Sequence, residues 1–434
     1  MNFKKEINTK ILELYNYEKK NNKFIPGVTK INVTGKVINH KEIQYITQSA
    51  IDGWLTTGKF NGKFEYKLKK FIGIKNLITV NSGSSANLIS FNTLTSYKLK
   101  DRAIKKGDEV ISVAAGFPTT INPIVQFGAI PVFIDVNLKT YNIDENQIES
   151  AITSKTKAIM LAHTLGNPFN LKVIRDICDK YDLWLIEDTC DALGSKYDGK
   201  HVGTFGDLAT LSFYPAHHIT MGEGGAVYTN NLRLKIIAES FRDWGRDCYC
   251  KTGHSNTCTK RFGWKFDNLP EGYDHKYVYT HLGYNLKITD MQAACGLAQL
   301  EKLNNFIKIR KKNFSYLYNK FKKLEEYFIL PESLKESDTS WFGFALTLRE
   351  NLFFERNELI RFLDKKKIDT RLLFAGNITK QPLLNNVKYK IHNKLINTNH
   401  VMNRTFWMGL YPALKKPQLD YMFEKVNEFI QNKK

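Results

Sequence analysis

The stretch LATLSFYPAHHITMGEGGAVYT, residues 208–229, joins two short apolar runs through a polar connection that carries a His-His pair. The runs LATLSF and AVYT have the composition of buried strands, whereas Pro and Gly residues in the connection favour a turn. The pattern therefore predicts two strands with His217 and His218 on the turn between them, opening beyond the edge of a sheet.

Upstream of this stretch, from about residue 77, β-rich runs alternate with helical patterns. The runs NLITV, DEVISVA, IPVFIDV, TKAIMLA and DLWLIED are almost continuously apolar, as is typical of strands that are buried on both faces of a parallel sheet. Helical periods such as SSANLISFNTLTSY separate them. The alternation predicts an α/β domain with a mostly parallel sheet, whose ligands bind beyond the carboxyl ends of the strands.

The remainder of the chain divides around this domain. We expect a helical arm over residues 1–35 and a large α/β domain over 36–304, with an irregular loop rich in Gly, Cys, His and Tyr at about 243–282. Such a long loop inside a domain is usually functional or disordered. A long helical stretch then leads into a small α+β domain, predicted over 305–434.

The charge balance is strongly basic, with 64 Lys and Arg against 43 Asp and Glu residues, a net charge of +21. The lysines are scattered through every segment and no nucleic-acid motif accompanies them, so a solvated surface is favoured over a nucleic-acid platform. A phosphate-bearing substrate would also suit this charge. No apolar run has the roughly 18 residues of a membrane span, and the N-terminus lacks a signal-peptide core. We expect a cytoplasmic protein.

A strand followed by VNSGSSANLIS, residues 80–90, predicts a loop that opens a helix. Gly83, Ser84 and Ser85 put free N–H groups and hydroxyls at the N-terminus of this helix, which is where anions bind. The residues alone fit a plain helix cap equally well. This loop is therefore a candidate phosphate site, and the assignment depends on further cofactor contacts in other parts of the sequence.

Two other strand ends carry candidate contacts to a ring. Asp188, at the end of LWLIED, would partner a pyridinium nitrogen or simply cap the next turn. Phe117, in AAGFPTTINP, would stack on a ring or fill core. Taken together, the strand ends suggest a wall around a phosphorylated aromatic cofactor.

The segments NSGSSAN, GFPTTINP, IEDTCDALGS, GTFGDLATLSFYPAHHITMGEGGAVYTN and LGYNLKITDMQAA occur in the order found in the pyridoxal-phosphate sugar aminotransferases. The chain resembles this DegT/DnrJ/EryC1/StrS family from about residue 40 to its C-terminus. The resemblance implies the type I (aspartate aminotransferase-like) fold, with a large, mostly parallel sheet and a small C-terminal α+β domain.

Matched to the family's motifs, Gly83, Ser84 and Ser212 would hold the phosphate of the cofactor. Asn285 would reach that phosphate from the neighbouring subunit, which implies a homodimer with shared active sites.

The same resemblance implies the contacts to the cofactor ring. Asp188 would face the pyridine nitrogen, and Phe117 takes the place of the stacking aromatic residue. Asp191, which is commonly His or Gln in transaminating relatives, would change the contacts near the 3-hydroxyl. Tyr214 belongs to the same lining by sequence.

The family's Schiff-base lysine lies five residues beyond the serine, and here that position is His217. Imidazole cannot make the covalent link to pyridoxal phosphate, but it can accept a proton near neutral pH. This departure resembles the 3-dehydrases, which use pyridoxamine phosphate to remove the C3 hydroxyl of nucleotide-linked 4-keto-6-deoxy sugars for the 3,6-dideoxyhexoses of lipopolysaccharide O-antigen. The resemblance implies that His217 is the catalytic base. The neighbouring His218 is expected to be structural.

Two other functions are alternatives to this one. An ordinary nucleotide-sugar aminotransferase is disfavoured by the missing lysine. A non-catalytic scaffold of the same fold is disfavoured by the retained phosphate and pyridine contacts.

Six cysteines fall into two groups. Cys178 and Cys295 lie in apolar helical patterns and are expected in the core. The other four follow the spacing C-x57-C-x-C-x7-C, and they are Cys190, Cys248, Cys250 and Cys258. A cytoplasmic protein rarely pairs cysteines in disulfides.

Spacing alone leaves open zinc, with His254 or His201 as substitute ligands, and an iron–sulfur centre. The spacing resembles that of the 3-dehydrases for CDP-linked sugars, whose four thiolates carry a [2Fe–2S] cluster. This implies a CDP-linked substrate and electrons from a separate NADH-dependent flavin/iron–sulfur reductase, because no dinucleotide fingerprint is present.

Overall fold

The structure, a computed structural model, describes residues 3–18, 23–250, 252–266 and 268–433. Parts of the predicted arm (1–2 and 19–22), positions 251 and 267 of the predicted loop, and position 434 lie outside these ranges. The α-helices of the described residues are α1 (Phe3–Glu18), α2 (His40–Ile51), α3 (Lys59–Ile72), α4 (Gly83–Leu94), α5 (Pro118–Phe127), α6 (Ile148–Ala151), α7 (Leu171–Lys180), α8 (Leu232–Arg242), α9 (Asp290–Leu300), α10 (Leu303–Phe321), α11 (Arg356–Lys365), α12 (Ile396–Arg404) and α13 (Lys416–Lys433).

The β-strands form three sheets. In chain order they are β1 (Asn76–Val80), β2 (Glu109–Val113), β3 (Ile130–Ile134), β4 (Thr156–Ala162), β5 (Trp184–Asp188), β6 (Lys196–Tyr197), β7 (Lys200–His201), β8 (Leu208–Ser212), β9 (Gly225–Thr229), β10 (Phe328–Ile329), β11 (Ser337–Asp338), β12 (Gly343–Leu348), β13 (Arg371–Leu372), β14 (Lys390–Ile391) and β15 (Thr405–Gly409).

The largest sheet has the order β1-β9-β8-β5-β4-β2-β3-β14. The five pairs from β8 to β14 are parallel, and β9 runs antiparallel to both of its neighbours. Every residue of β2, β3, β5, β8 and β9 is buried, in keeping with helices on both faces. The predicted mostly parallel sheet is confirmed.

Helix α7 shows how the helices cover this sheet. Its apolar residues recur every three or four positions, at Leu171, Ile174, Ile177 and Cys178, and all four are buried. They join the core cluster that contains Ile159 and Leu185 of the sheet. The prediction that Cys178 and Cys295 are core residues is confirmed, since both are buried.

The C-terminal part builds a second sheet, β10-β12-β15-β13, in which all pairs are antiparallel. Its buried aromatic residues, such as Phe344 and Phe406, pack in one cluster with Leu359 of α11 and Met422 of α13. Strand β14, from the same part of the chain, adds to the edge of the large sheet through Lys390. The C-terminal part is therefore joined to the large sheet, and the domain boundaries at 36 and 305 stay predictions.

Within the ranges that the structure describes, no helix combines the length and the apolar character needed to cross a membrane.

Candidate active site

A cavity of about 800 Å³, called here the main cavity, opens beyond the carboxyl ends of β5 and β8. Parallel strands bring their carboxyl ends to one edge of the sheet, so residues far apart in sequence meet there. The predicted site residues that line it are Gly83, Ser84, Phe117, Asp188, Cys190, Asp191, Ser212, Tyr214 and His217.

Asp188 is a buried carboxylate held by several donors. Its Oδ2 accepts hydrogen bonds from Asn87 Nδ2 at 2.8 Å and Thr120 Oγ1 at 2.7 Å, and its Oδ1 accepts from the Cys190 amide at 3.1 Å. Thr210 Oγ1 lies 3.3 Å from Oδ1 but 2.8 Å from Asn87 Oδ1, and its single proton goes to the nearer acceptor. Asp188 Oδ1 thus retains capacity for a donor in the cavity, such as a protonated ring nitrogen.

The N-terminus of α4 forms a neighbouring part of the wall, since Gly83 and Ser84 line the same cavity. Ser82, which was not singled out from sequence, caps the helix by accepting a hydrogen bond from the Ser85 amide at 3.0 Å. The Ser85 hydroxyl donates to Asn81 Oδ1 at 2.6 Å, and Ser85 does not line the cavity. A Cβ on Gly83 would lie 2.5 Å from Ser212 Cβ. Only glycine permits this approach, which leaves Gly83, Ser84 and Ser212 around one space for an anion.

Phe117 stands directly before α5 and is 51% exposed, so it is not a core residue. Its ring meets Phe374 edge to face, with centroids 6.0 Å apart. Phe374, Arg371 and Gln381 line the cavity from the C-terminal part of the chain. These three residues could not be predicted from sequence, because no motif connects them to the strand ends.

His217 and Asp191 are neighbours in the cavity wall. His217 Nδ1 lies 3.2 Å from Asp191 Oδ1, and both side chains are mostly buried. The pair has the distance of an ion pair but not the angle of a hydrogen bond, and among the described residues Nδ1 has no hydrogen-bond partner. The His217 ring also packs on Phe342, with centroids 5.3 Å apart. The arrangement places an imidazole and a carboxylate side by side in the cavity wall, which makes His217 the candidate base of the site.

Arg310 supports the turn that carries His217. Its side chain is buried, and it donates to the carbonyl oxygens of Phe342 at 3.0 Å and His217 at 3.5 Å. Burial lowers the pKa of Arg310 to about 10. His218 turns away into the core, where its Nε2 bonds to the Ser340 carbonyl at 2.8 Å. Burial holds the pKa of His218 well below its usual value, which suits the structural role expected for it.

A second buried carboxylate, Glu187, lies next to Asp188 on the opposite face of β5. It accepts hydrogen bonds from the amides of Gly203 at 2.6 Å and Phe205 at 3.0 Å, and it pairs with His163 Nε2 at 3.0 Å. His163 stacks on Phe169, with centroids 4.1 Å apart, and lines the main cavity. This supporting group was not predicted, because a lone His after a strand carries no distinctive signal.

Asn285 does not line the main cavity of its own chain. It is exposed, its Oδ1 accepts from Lys287 Nζ at 2.7 Å, and its backbone pairs with Asp243. Its predicted contact with a neighbouring subunit stays a prediction.

Three of the four spaced cysteines share a second, small cavity. Cys248, Cys250 and Cys258 line it together with His275. His275 is 2% exposed, and its Nε2 lies 3.0 Å from Asp247 Oδ2. Its Nδ1 has no hydrogen-bond partner within the part of the chain that the structure describes. His275 was not among the predicted substitute ligands, which were His254 and His201.

His201 is not near this group. It lies in β7, packs on Phe71 with centroids 4.8 Å apart, and has a pKa lowered by burial to about 4. His254 is exposed and lines a different, larger cavity beside Cys248 and Cys250.

The expected set of four thiols is not assembled in one chain. Cys190 lines the main cavity, where its Sγ lies 3.9 Å from Thr210 Oγ1, and it does not line the cavity of the other three cysteines. Among the described residues, no group of three or more His, Cys, Asp or Glu side chains is arranged to hold a metal ion. The physical reason is that β5 fixes Cys190 at the sheet edge, whereas the other three belong to the irregular loop. Their chemistry suits a cluster, but their placement in a single chain does not.

The DegT/DnrJ/EryC1/StrS aminotransferase family model matches residues 36–427 of this chain. The chain belongs to this family.

Two curated relatives cover nearly the whole chain. The lipopolysaccharide biosynthesis protein RfbH of Salmonella typhimurium is 58% identical over 99% of this chain and 98% of its own length. The dTDP-4-dehydro-2,6-dideoxy-D-glucose 3-dehydratase of Saccharopolyspora spinosa is 48% identical over 96% of this chain and 90% of its own.

Among solved structures, the E. coli GDP-4-keto-6-deoxy-D-mannose-3-dehydratase with bound hydrated PLP has a TM-score of 0.82 at 30% identity. The match covers 91% of this chain and 99% of that chain. The expected type I fold of pyridoxal-phosphate enzymes is thereby confirmed.

Proposed function

We propose that the protein is a pyridoxamine-phosphate-dependent 3-dehydrase of a nucleotide-diphospho-4-keto-6-deoxyhexose. The observation that carries the proposal is the replacement of the family's covalent lysine by His217, which faces the main cavity beside Asp191. No lysine is found among the described residues that line this cavity. A site without an amine for the covalent link favours a freely bound coenzyme over the ordinary transamination cycle.

The residues of the main cavity fit a phosphorylated pyridine. Gly83, Ser84 and Ser212 would hold the phosphate at the N-terminus of α4, and Asp188 would accept a hydrogen bond from the ring nitrogen. Phe117 would cover one face of the ring. Pyridoxamine phosphate supplies an amine that condenses with the C4 ketone of the sugar and an electron sink that lets the C3 hydroxyl leave.

His217 would act as the base that removes a proton from the C4′ carbon of the coenzyme. Asp191 would stabilise the protonated imidazole, and the Arg310 contact to the His217 carbonyl would keep the turn in place. The edge of the sheet and the turn between β8 and β9 hold His217 and Asp191 in a fixed arrangement.

The names of the relatives support the type of reaction, 3-dehydration, more strongly than they support the identity of the nucleotide carried by the substrate. Relatives that are 48% and 31% identical to this chain are described as 3-dehydratases of a dTDP-linked and a GDP-linked sugar, so the nucleotide varies within the family. We propose a CDP-linked substrate, supported by the four-cysteine spacing, and a product used for lipopolysaccharide O-antigen, in line with the name of the Salmonella relative.

We also propose that Cys190, Cys248, Cys250 and Cys258 hold a [2Fe–2S] cluster in the assembled enzyme, and that a separate NADH-dependent flavin/iron–sulfur reductase supplies electrons. Four thiols with this spacing are the support, since four thiolates are the usual ligands of such clusters. A homodimer is part of the proposal, because Asn285 is exposed and does not line the main cavity of its own chain.

The test is a turnover panel of CDP-, dTDP- and GDP-linked 4-keto-6-deoxyhexoses with pyridoxamine phosphate, a reductant and an electron carrier, analysed by mass spectrometry. The expected result is a 3-deoxy product from the CDP sugar. A 4-amino sugar formed in the presence of glutamate would contradict the proposal and support an aminotransferase. Turnover of only a dTDP or GDP sugar to the 3-deoxy product would overturn the CDP assignment alone.

A further inference from the structure

Part of the main cavity is not used by the proposed coenzyme contacts. This part is called here the C-terminal wall, and its residues are Arg371, Leu372, Phe374, Ala375, Gln381 and Leu383. The coenzyme contacts come instead from strand ends of the large sheet and from the starts of α4 and α5. A cavity of about 800 Å³ lies toward the upper end of the range for small-molecule sites. The C-terminal wall is therefore available to a ligand that extends beyond the coenzyme.

The backbone holds the C-terminal wall beside the segment that follows β2. The Ala375 amide donates to the Gly116 carbonyl at 3.2 Å. Phe374, one residue earlier, has a φ of +47°, a conformation that bulky residues rarely adopt and that persists where the surrounding structure fixes it. Its ring meets that of Phe117 edge to face. The wall is thus held next to the residue proposed to cover the coenzyme ring.

The side chain of Arg371 is oriented through one of its nitrogens. Its Nη1 donates to Asp369 Oδ1 at 2.9 Å and to the Thr370 carbonyl at 2.8 Å, which uses both protons of this nitrogen. Within the described residues, Nε and Nη2 have no acceptor. These two nitrogens form the edge of a guanidinium that donates side by side to two oxygens of a phosphate. Arg371 therefore presents an oriented edge for an anion.

Aromatic contacts connect the position of Arg371 to His217. Trp407 of β15 is the backbone partner of Arg371 in β13. Its ring packs on Phe342 with centroids 5.3 Å apart, and Phe342 packs on His217 at the same centroid distance. Both Trp407 and Phe342 line the main cavity. Arg371 and the candidate base thus belong to one continuous part of the wall.

The charges of the main cavity single out Arg371. It is the sole lysine or arginine among the described residues that line this cavity, whereas Asp188 and Asp191 contribute carboxylates. The proposed phosphate site at the start of α4 uses amides and hydroxyls, which carry no formal charge. Arg371 is 57% exposed, so a ligand can reach it. A second anionic group in this cavity has Arg371 as its fixed counter-charge.

We propose that Arg371 binds the diphosphate of the nucleotide sugar through its Nε and Nη2 protons. This inference rests on the proposed function for the class of substrate, and it deepens that function by naming the residue that recognises the diphosphate. A contact to phosphate oxygens is independent of the base. The same contact would therefore serve CDP-, dTDP- and GDP-linked sugars, and the choice among them belongs to other residues.

Nucleotide binding tests this role without turnover. The Kd values of CDP, dTDP and GDP are measured by isothermal titration calorimetry on protein loaded with pyridoxamine phosphate. Arg371→Gln is expected to raise each Kd by about 10- to 100-fold, because charge-assisted hydrogen bonds are lost. Arg371→Lys keeps the charge without the paired donors and should give intermediate values. The Kd of pyridoxamine phosphate itself should stay at the wild-type value in both variants.

Lys30→Gln is the matched control. Lys30 Nζ lies 3.6 Å from Asp369 Oδ2, and its side chain is 54% exposed. It therefore faces the same carboxylate as Arg371 with similar exposure, but it does not line the main cavity. This variant removes the same charge, and its Kd values for the three nucleotides are expected to equal those of the wild type. Thermal unfolding establishes that each variant is folded.

Each outcome bears on a different claim. Unchanged Kd values in Arg371→Gln, or an equal rise in Lys30→Gln, overturn the role of Arg371 and leave the proposed reaction intact. A rise confined to one nucleotide also overturns it, because the base and not the diphosphate would then be recognised. Wild-type protein that binds none of the three nucleotides overturns the inference as well. Binding through Arg371 without a 3-deoxy product in the turnover panel supports this inference and overturns the proposed function.

Discussion

His217 Nδ1 and Asp191 Oδ1 lie 3.2 Å apart, although one residue comes from the turn after β8 and the other from the segment after β5. The parallel pairing of β5 and β8 sets this approach, because it brings both strand ends to the same edge. An imidazole and a carboxylate are thus held together by the sheet itself.

The first prediction concerns this pair. His217→Asn is expected to slow solvent exchange of the C4′ proton of bound pyridoxamine phosphate by about 10²–10⁴-fold, the usual contribution of a general base. Asp191→Asn is expected to cause a smaller loss, because the base remains and only its charge partner is removed. Deuterium incorporation followed by NMR measures both. An exchange rate that is unchanged in His217→Asn would remove this residue from the role of base.

The second prediction concerns Asp188. Asp188→Asn replaces a charged hydrogen-bond acceptor by a neutral one, which costs about 1.5–3 kcal/mol, so the Kd for pyridoxamine phosphate should rise about 10- to 100-fold. Thr120→Val is the matched control, because it removes one donor at 2.7 Å and keeps the carboxylate. Fluorescence titration measures both constants. An equal rise in Kd in the two variants would mean that Asp188 only stabilises the local structure at the end of β5 and does not contact the coenzyme.

The third prediction concerns the close contact of Gly83 with Ser212. Gly83→Ala places a Cβ 2.5 Å from Ser212 Cβ. Overpacking of this kind lowers the free energy of unfolding by about 1–3 kcal/mol, because neighbouring atoms must shift. The added methyl should displace Ser212 and weaken cofactor binding about tenfold or more. Gly62→Ala in α3 is the control, since nothing lies within 4 Å of its added Cβ. Similar cofactor affinity in the two variants would argue against a phosphate at this wall.

The fourth prediction concerns acid stability. Burial and Lys98 lower the pKa of His281 from 6.5 to about 4, while Ser96 and Ser240 hold its ring at 2.7 and 2.8 Å. Between pH 6.5 and 4 the unfolded chain binds this proton more readily. The contribution of neutral His281 is therefore complete above pH 6.5 and decreases as the pH falls toward 4, by up to about 1.4 kcal/mol per pH unit.

His281→Gln should reduce the pH dependence of the unfolding free energy over this range. Urea unfolding at several pH values measures the slope. An identical slope in the variant and the wild type would show that His281 does not contribute.

The sequence predicted most of the large sheet, because its strands are apolar throughout and separated by helical periods. Asp188, Ser212 and His217 could be placed in one cavity because each lies at or just beyond the carboxyl end of a strand, and these ends converge at one edge of the sheet. Phe374 and Arg371 could not, since they enter from a separate part of the chain that folds back over the cavity. Cys190 was grouped with the loop cysteines by spacing, but spacing carries no information on which thiols meet in space. His275 was missed for the same reason.

The reversed direction of β9 has a further consequence. Because Ser212 pairs with Gly225, the turn that carries His217 leaves the sheet and returns to it at the same edge. Its length and composition are therefore independent of the strand order. A single exchange of lysine for histidine at position 217 can occur while every strand keeps its partners, so the proposed change in reaction type would require no change in architecture.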